Sequence, residues 1–156
     1  MDIRKATVTD GLFLSSLCMD VQTLHAEHHP AIFKMPKSDD FAVSFFNTLL
    51  ADSAFHAFIA EEDGQALGYI VCKSMERAEN PFTFAMHYLL IDQISVRPQA
   101  RGRGVGAALI KQAEVLAGAL GVQKIQLDSW DFNIKAHAFF EGMGFVKFNQ
   151  RFWKDL

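Results

Sequence analysis

The chain has 156 residues and a formal net charge of −3, and 50% of its residues are hydrophobic and 21% charged. This composition excludes a disordered chain, a collagen-like fibre and a coiled coil, and the length predicts one domain over residues 1–156. The two cysteines, Cys18 and Cys72, are too few for a disulfide scaffold and lack the spacing of metal ligands. The N-terminus has no apolar signal core, and no apolar stretch is long enough to span a bilayer. We therefore expect a cytoplasmic protein that binds neither membranes nor nucleic acid.

The first half of the chain predicts a strand, two helices and a β-hairpin. A short strand over Ile3–Ala6 precedes a helix whose apolar residues recur at three- and four-residue spacing. A polar, histidine-rich loop follows, and Ser38 is the predicted N-cap of the second helix. Two apolar runs, 54–61 and 65–73, then flank an Asp-Gly dipeptide at 63–64. This arrangement is typical of a tight hairpin.

The second half predicts three strands that alternate with two helices. The strands are expected over Phe82–Val96, Val122–Trp130 and Phe145–Trp153. A helix that ends at Gly121 and a short helix over Asn133–Gly142 lie between them. The complete order, β-α-α-β-β-β-α-β-α-β, predicts an α/β (α+β) fold in which helices cover the faces of a mixed sheet. The exposed edge of the last strand offers a route to a homodimer.

A segment rich in glycine and arginine joins the long strand to the third helix. It reads Arg101-Gly-Arg-Gly-Val-Gly106, and Arg97 lies just before it. Glycines let the backbone turn sharply and approach a ligand, and a helix N-terminus presents free N–H groups and partial positive charge. Pyrophosphate is therefore the expected ligand. The glycines run G-x-G-x-G, which is not the dinucleotide-binding spacing, and the Gly-Lys-Ser/Thr of a Walker A loop is absent.

Two segments of the sequence resemble the signatures of one family. Arg101-x-x-Gly104-x-Gly106, after a Val-x-Pro strand end, is similar to the acetyl-CoA pyrophosphate loop of the GNAT superfamily of N-acetyltransferases. The segment Asn133-x-x-Ala136-x-x-Phe139-Phe140-Glu141-x-x-Gly144-Phe145 is similar to that family's Asn-x-x-Ala-x-x-Phe-Tyr-x-x-x-Gly-Phe signature. The resemblance implies a mixed, mostly antiparallel sheet of about six to seven strands flanked by about four helices. It also implies an acetyl-CoA-dependent N-acetyltransferase whose acceptor, a primary amine of a small molecule or peptide, attacks directly in a ternary complex.

The resemblance further implies which residues bind acetyl-CoA. The backbone of the long strand's end would pair with the pantetheine arm, and the neighbouring strand would splay away to admit it. The N–H groups of the glycine loop would hold the pyrophosphate, and Asn133 would cap the fourth helix and contact the cofactor. At 100° per residue, Asn133 also shares one helical face with Ala136, His137 and Phe140. The expected CoA-binding residues are Ile94, Ser95, Val96, Arg101, Gly102, Arg103, Gly104, Val105, Gly106, Asn133, Ala136 and Phe140.

Acetyl transfer to an amine requires a base for the ammonium proton, a donor for the oxyanion and a route for the thiolate to leave. Asp92 is the expected base, because it interrupts the apolar run 89–91, where a charge must be solvated or paired. The alternative is a strand residue that only faces solvent or that is the cap partner of a nearby basic side chain. The family's usual acid is the Tyr of its Phe-Tyr pair, and Phe140 occupies that position here. Tyr88 and His137 are the stand-in acids, with a core tyrosine and a surface histidine as the respective alternatives.

Three histidines, His25, His28 and His29, suggest a metal site at first sight. No suitably placed carboxylate or cysteine completes a coordination sphere, so we expect no metal and interpret this segment as a loop over the acceptor pocket. Two other functional hypotheses stay open. One is a non-catalytic acyl-CoA-binding or sensor module, which the phenylalanine at position 140 motivates, and the other is an unrelated nucleotide-binding protein that uses the same glycine loop.

Overall fold

The computed structural model describes all residues, 1–156, as five strands and four α-helices around one sheet. A single 3₁₀ turn, Pro98–Ala100, follows the fourth strand. In chain order the elements are β1 (Asp2–Lys5), α1 (Gly11–His28), α2 (Val43–Ala51), β2 (Phe55–Glu62), β3 (Gln65–Arg77), β4 (Met86–Val96), α3 (Val105–Ala119), β5 (Ile125–Leu127) and α4 (Ile134–Gly142).

The sheet has the strand order β1-β2-β3-β4-β5, in which every pair is antiparallel except the parallel pair β4–β5. The expected mixed and mostly antiparallel sheet is confirmed, with five strands in place of six to seven. The predicted hairpin is also confirmed. Asp63 and Gly64 join β2 to β3 with φ of 50° and 75°, the left-handed values that a type I′ turn requires at both central positions.

The predicted last strand, Phe145–Trp153, is wrong. This segment forms no ladder, and its apolar side chains Val146, Phe148 and Phe152 are 83%, 72% and 86% exposed. A β-prone sequence becomes a strand only where a partner strand is available, and the neighbouring β5 offers just three residues. The strand edge expected to offer a route to a homodimer is therefore not formed by this segment.

Three other predicted boundaries also differ from the structure. The strand expected over Val122–Trp130 shrinks to β5. The strand expected from Phe82 begins at Met86, because the Asn80 side chain accepts the backbone N–H groups of the next turn and holds that segment out of the ladder. Ser38 does not cap α2. Its hydroxyl bonds to the Asp40 carboxylate instead, and turns continue until the helix begins at Val43.

Side chains alternate between two cores on opposite faces of the sheet. On β3, Ile70 and Cys72 belong to a core of 15 buried residues that also contains α3 and Phe140 of α4. Tyr69 and Val71 belong to a second core of 10 buried residues, which includes residues of α1 and α2. The two faces thus carry different halves of the chain, since the first two helices cover one face and the last two cover the other. No helix combines the length and apolarity that crossing a bilayer requires.

Candidate active site

The central feature of the site is a gap in the sheet beside the C-terminal half of β4. Strands β4 and β5 are paired only from Leu89↔Ile125 to Ile91↔Leu127. On its other side β4 stays paired with β3 as far as Gly68↔Val96. Residues 92–96 therefore present one strand edge without a neighbouring strand. Such an edge offers unpaired backbone N–H and C=O groups to an extended ligand.

A β-bulge lies at the point where this gap opens. Successive register pairs, Val71↔Gln93 and Cys72↔Ile91, leave Asp92 without a partner on β3. The extra residue reverses the alternation of side chains: Leu89 and Ile91 face the larger core before it, whereas Ile94 and Val96 pack against that core after it. Sequence periodicity alone would have directed Gln93 into the apolar core. Bulges are frequent beside active sites because they redirect side chains.

The glycine-rich segment follows β4 directly and forms an open loop at the N-terminus of α3. Gly102 and Gly104 have φ of 75° and 81°, and a Cβ atom built at either position would meet nothing within 4 Å. Gly104 is also the N-cap of α3. Because Ala108 is the first residue whose N–H reaches the carbonyl of Gly104, the preceding N–H groups of the first turn have no intrahelical acceptor. The loop therefore combines free donors, the positive end of the helix dipole and empty space.

The three arginines near this loop have different surroundings. Arg97 is half-buried and donates to the Ala66 carbonyl at 3.0 Å and to the Ser16 hydroxyl at 3.1 Å. Arg101 is exposed and donates to the Val96 carbonyl at 3.1 Å. Arg103 pairs with Glu62 of the β2–β3 hairpin, and this contact lowers the pKa of the Glu62 carboxyl. Two N–H groups of the Arg97 guanidinium are thus engaged by neutral acceptors on β3 and α1.

The second sequence signature packs against the first. The helix α4 begins after Asn133, whose side chain accepts the N–H of Ala136 at 3.3 Å, so the predicted cap is confirmed. Phe139 lies against Gly106 in the first turn of α3. Phe140 is 9% exposed and contacts the rings of Phe139 and Phe145.

The expected catalytic side chains differ in their exposure and in their hydrogen-bond partners. Asp92 is exposed at the bulge, and the Gln93 amide is its hydrogen-bond donor, at 3.4 Å from Oδ2. Tyr88 is half-buried, and its hydroxyl takes part in no hydrogen bond within the chain. His137 is half-buried, and its Nε2 lies 3.1 Å from the Trp130 carbonyl. A carbonyl only accepts, so this contact places the proton of a neutral His137 on Nε2.

Sequence reasoning missed a buried polar contact behind Asp92. Tyr69 is fully buried, and its hydroxyl donates to Oε1 of Gln93 at 2.8 Å. Burial, followed by the neighbouring Cys18 and Asp92, holds the pKa of Tyr69 well above 10. Burial with Asp92 also raises the pKa of the Cys72 thiol to about 12. No spacing signal in the sequence marks Tyr69 or Gln93, because the bulge that brings them together follows from strand pairing.

Sequence reasoning also missed the partners of the three histidines, which form an aromatic cluster with residues that follow β5. The His28 ring stacks on Phe132 with centroids 4.1 Å apart, and His29 lies 5.0 Å from Trp130. Burial lowers the pKa of His25. No group of three histidine, cysteine, aspartate or glutamate side chains has the geometry of a metal site. The cluster comprises His25, His28, His29, Phe33, Trp130, Phe132 and Trp153.

The model of the acetyltransferase (GNAT) family matches residues 19–145. The chain belongs to the GNAT acetyltransferase family. The match includes the gap beside β4, the glycine loop and all of α4. The resemblance read from the two sequence segments is therefore confirmed. No curated protein sequence is significantly similar to this chain.

Several solved structures share the fold of this GNAT protein. The BH1408 protein of Bacillus halodurans, solved as a tetramutant, superposes with a TM-score of 0.90 at 22% identity, and all of both chains is covered. The aminoglycoside 6′-N-acetyltransferase AAC(6′)-IG of Acinetobacter haemolyticus has a TM-score of 0.74 at 21% identity, with 100% of this chain and 98% of that chain covered. The aminoglycoside N-acetyltransferase AAC(6′)-Iy, in complex with CoA, has a TM-score of 0.76 at 20% identity, with 99% and 93% covered.

Acetyl-CoA is the acetyl donor of the GNAT family, and the residues of this chain are compatible with it. A linear thioester with an amide-rich arm and a pyrophosphate needs a strand edge, an anion site and room between them. No strand pairs with the outer edge at 92–96, where Arg101 donates to the Val96 carbonyl, and the loop at 102–106 follows it along the chain. The open space at Gly102 and Gly104 leaves room for phosphate oxygens to approach the backbone.

Proposed function

We propose that residues 1–156 act as one N-acetyltransferase domain that transfers the acetyl group of acetyl-CoA to a primary amine. The amine belongs to a small molecule or a peptide and attacks directly in a ternary complex. One observation carries this proposal: the free edge of β4 at 92–96 leads along the chain into the open glycine loop at the N-terminus of α3. Bound acetyl-CoA supplies an acetyl group that is activated as a thioester.

The chain's own residues hold the donor through backbone and helix-end interactions. In this proposal the backbone of Ile94 and Val96 pairs with the amide groups of the pantetheine arm. The N–H groups over 102–106 bind the pyrophosphate, with the side chains of Arg101 and Arg103 beside it. Asn133 at the N-cap of α4, with Ala136 and Phe140 on that helix, completes the binding surface. The contact between Gly106 and Phe139 supports this arrangement, because it brings α4 beside the loop.

Asp92 is the residue that we propose takes the ammonium proton, directly or through a water molecule. Its carboxylate is exposed at the bulge where the gap between β4 and β5 opens, so an amine in the gap can approach it. Tyr88 is the better supported stand-in acid, because its hydroxyl has no competing partner within the chain. His137 is less well suited, since its Nε2 proton is engaged by the Trp130 carbonyl.

The acceptor amine is proposed to enter beside the aromatic cluster at the end of α1. Trp130 and Phe132 of this cluster lie on the connection between β5 and α4, and that connection ends at the Asn133 cap. Aromatic faces attract ammonium groups through cation–π interaction, which is consistent with a cationic acceptor. The structural neighbours named as aminoglycoside acetyltransferases favour a small-molecule amine over a protein substrate.

The test is an acceptor screen with acetyl-CoA in which free thiol is followed and products are identified by mass spectrometry. A panel of polyamines, amino acids, aminoglycosides and peptides should yield at least one product heavier by one acetyl group. Calorimetry should show CoA binding that a large excess of ATP does not displace. Displacement by ATP would instead identify a general nucleotide site and contradict the proposal.

A non-catalytic acyl-CoA-binding module is the second candidate, and the buried Phe140 is the observation that favours it. This position carries no hydroxyl to protonate a leaving thiolate, and the ring is 9% exposed within the larger core. The same screen separates the two functions. Tight CoA binding without product from any amine would support the binding module.

A further inference from the structure

We propose that Tyr69 and Gln93 are positioning residues that hold the Asp92 carboxylate in place through one directed chain of hydrogen bonds. The Tyr69 hydroxyl donates to Oε1 of Gln93 at 2.8 Å, and Nε2 of Gln93 donates to Oδ2 of Asp92 at 3.4 Å. The chain runs from the core beneath α1 to the exposed bulge. This inference rests on the proposed role of Asp92 in acetyl transfer and extends it to two residues that do not touch the substrate.

The direction of the chain follows from the chemistry of its members. A carboxylate only accepts hydrogen bonds, so the Gln93 group that faces Asp92 must be the NH₂. The carbonyl of the same amide then faces Tyr69, which must be the donor. Rotating the amide by 180° would bring its oxygen against the carboxylate and its NH₂ against the hydroxyl. The carboxylate therefore excludes the rotated amide, and in the orientation that remains the tyrosine proton is donated to the Gln93 carbonyl, which stabilises the donor offered to Asp92.

Burial explains why Tyr69 holds its bond to Gln93 in this orientation. The whole residue is buried in the core beneath α1 and α2, where a phenolic hydroxyl without a partner carries a high free-energy cost. The raised pKa of Tyr69 keeps its proton in place throughout the working range of an acetyltransferase. The ring also packs edge to face against Phe46, at a centroid distance of 6.0 Å. The first link of the chain is therefore rigid, whereas its last link is solvent-exposed.

The bulge is what makes the chain possible. Without the extra residue, Gln93 would keep the alternation of Leu89 and Ile91 and face the larger core on the other side of the sheet. The bulge turns Gln93 toward the face that carries Tyr69 and leaves Asp92 unpaired at the mouth of the gap. The bulge thus positions Asp92, the proposed base, and also orients Gln93, which donates to it.

The kinetic test is a double-mutant cycle between Tyr69→Phe and Asp92→Asn, with the best acceptor from the amine panel. Tyr69→Phe removes only the hydroxyl, and we expect kcat to fall about three- to tenfold with little change in the KM for acetyl-CoA. In the Asp92→Asn background the same change should have no further effect. An equal fold-loss in both backgrounds, or no loss in either, would overturn the proposal.

Two further variants separate positioning from packing. Gln93→Glu keeps an acceptor for Tyr69 but removes the donor to Asp92, so kcat should fall although the tyrosine bond survives. Ile70→Val is the matched packing control, because its side chain is fully buried on the opposite face of the same strand. This control should lower the melting temperature and leave kcat unchanged. If kcat fell as much for Ile70→Val as for Tyr69→Phe, loss of core packing alone would explain the effect, and the proposal would be overturned.

A spectroscopic readout tests the chain without any substrate. The Tyr69 hydroxyl proton should exchange slowly enough to be seen by NMR at neutral pH and should disappear from that position in Gln93→Leu. The side-chain amide resonances of Gln93 should shift in both Tyr69→Phe and Asp92→Asn. If the Gln93 amide resonances shift in neither variant, the proposal is overturned even when the enzyme is active. If no amine is acetylated but these shifts are present, the proposed function fails while the hydrogen-bond chain stands.

Discussion

The ring of Phe139 lies over Gly106: a Cβ atom at residue 106 would stand 3.1 Å from Cζ of that ring. This contact joins the two sequence signatures, since Gly106 ends the glycine loop and Phe139 lies in the middle of α4. The third glycine of the loop thus serves helix packing, whereas Gly102 and Gly104 have positive φ and open surroundings. The G-x-G-x-G spacing therefore combines two requirements, positive φ at the first two glycines and close helix packing at the third.

A first prediction concerns Gly106→Ala. The added methyl group must displace Phe139 by a few tenths of an ångström, so α4 should shift relative to the loop. Overpacking should cost about 1–3 kcal/mol, and the gain of about 0.5–1 kcal/mol from helix propensity offsets only part of it, so we expect a net loss in the free energy of unfolding and weaker CoA binding. Gly118→Ala is the control within α3, because its Cβ would meet open space at an ordinary helical φ. This control should stabilise the protein by about 0.5–1 kcal/mol and leave CoA affinity unchanged. Calorimetry and urea unfolding measure both effects.

The second prediction separates backbone strain at the glycine loop from obstruction of the ligand. Gly104→Val and Gly121→Val both force a β-branched residue into the left-handed region, at φ of 81° and 69°, and neither Cβ meets a neighbour. Both variants should therefore lose similar stability. Only Gly104→Val should lower CoA affinity, by about tenfold or more, because its side chain fills the space that the phosphate needs. Equal CoA affinity in the two variants would show that the glycine loop only connects β4 to α3 and does not bind the phosphates.

Local signals in the sequence were sufficient to predict most of the fold. The hairpin at 63–64, the helix after the glycine loop and the Asn133 cap each depend on residues within one turn of each other, and all three are confirmed. The predicted last strand failed because a strand depends on a partner elsewhere in the chain. Apolar alternation over 145–153 indicates β propensity but carries no information about whether an edge is available.

In the candidate site, too, features that depend on local sequence could be predicted and features that depend on distant residues could not. The glycine loop is continuous in sequence, so its own residues are enough to predict an anion site. The bulge at Asp92 could not be predicted, because it appears only as a skipped residue in the register between β3 and β4. The hydrogen bond from Tyr69 to Gln93 depends on that bulge. The contacts of His28 and His29 with Phe132 and Trp130 join segments about 100 residues apart. Long-range pairing, and not local propensity, determines these features.

A third prediction concerns the pH dependence of Asp92→Asn. If Asp92 accepts the ammonium proton, the variant should lower kcat/KM most at neutral pH, where nearly all of an alkyl amine is protonated. The defect should shrink as pH rises toward the pKa of the acceptor amine, because free base is then abundant without help. The check is a profile of kcat/KM against pH for two acceptors of different amine pKa. A constant ratio between wild type and variant across pH would point to a binding or structural role.

A fourth prediction follows from the Asp10 carboxylate, which is nearly buried at the start of α1. It accepts two hydrogen bonds from Arg4, at 2.8 and 2.9 Å, and two more from Thr7. The bonds from Arg4, with those from Thr7, lower the pKa of Asp10 from 3.8 to about 2. The folded-state pKa lies below the unfolded one, so this group stabilises the fold above about pH 4, and the contribution is lost as pH falls through 2.

Asp10→Asn should therefore cost about 1–2 kcal/mol of unfolding free energy at neutral pH, and the difference from wild type should vanish near pH 2. Denaturant titrations at several pH values measure this difference. Asp39→Asn is the control, because Asp39 is exposed and takes part in no hydrogen bond. A gap between Asp10→Asn and wild type that stays constant down to pH 2 would show that the Arg4 contact contributes little through charge.

The last prediction concerns the absent tyrosine at position 140. A thiol with a pKa of about 8.5 leaves as thiolate at neutral pH with only a modest penalty, so acetyl transfer does not require a proton from this position. Phe140→Tyr would add the family's usual donor on the helical face shared with Asn133. The ring is 9% exposed and packed between Phe139 and Phe145, so a new hydroxyl that finds no partner should cost about 1–3 kcal/mol of stability.

If the hydroxyl reaches the thioester, turnover should rise in single-turnover experiments, where product release does not limit the rate. Melting temperature must be followed beside the rate, so that a damaged core is not mistaken for a failed donor. A folded Phe140→Tyr variant with unchanged single-turnover rate would mean that another group or water already protonates the thiolate. In that case Tyr88→Phe should slow the reaction more than His137→Gln, because the Tyr88 hydroxyl is free whereas Nε2 of His137 is bonded to the Trp130 carbonyl.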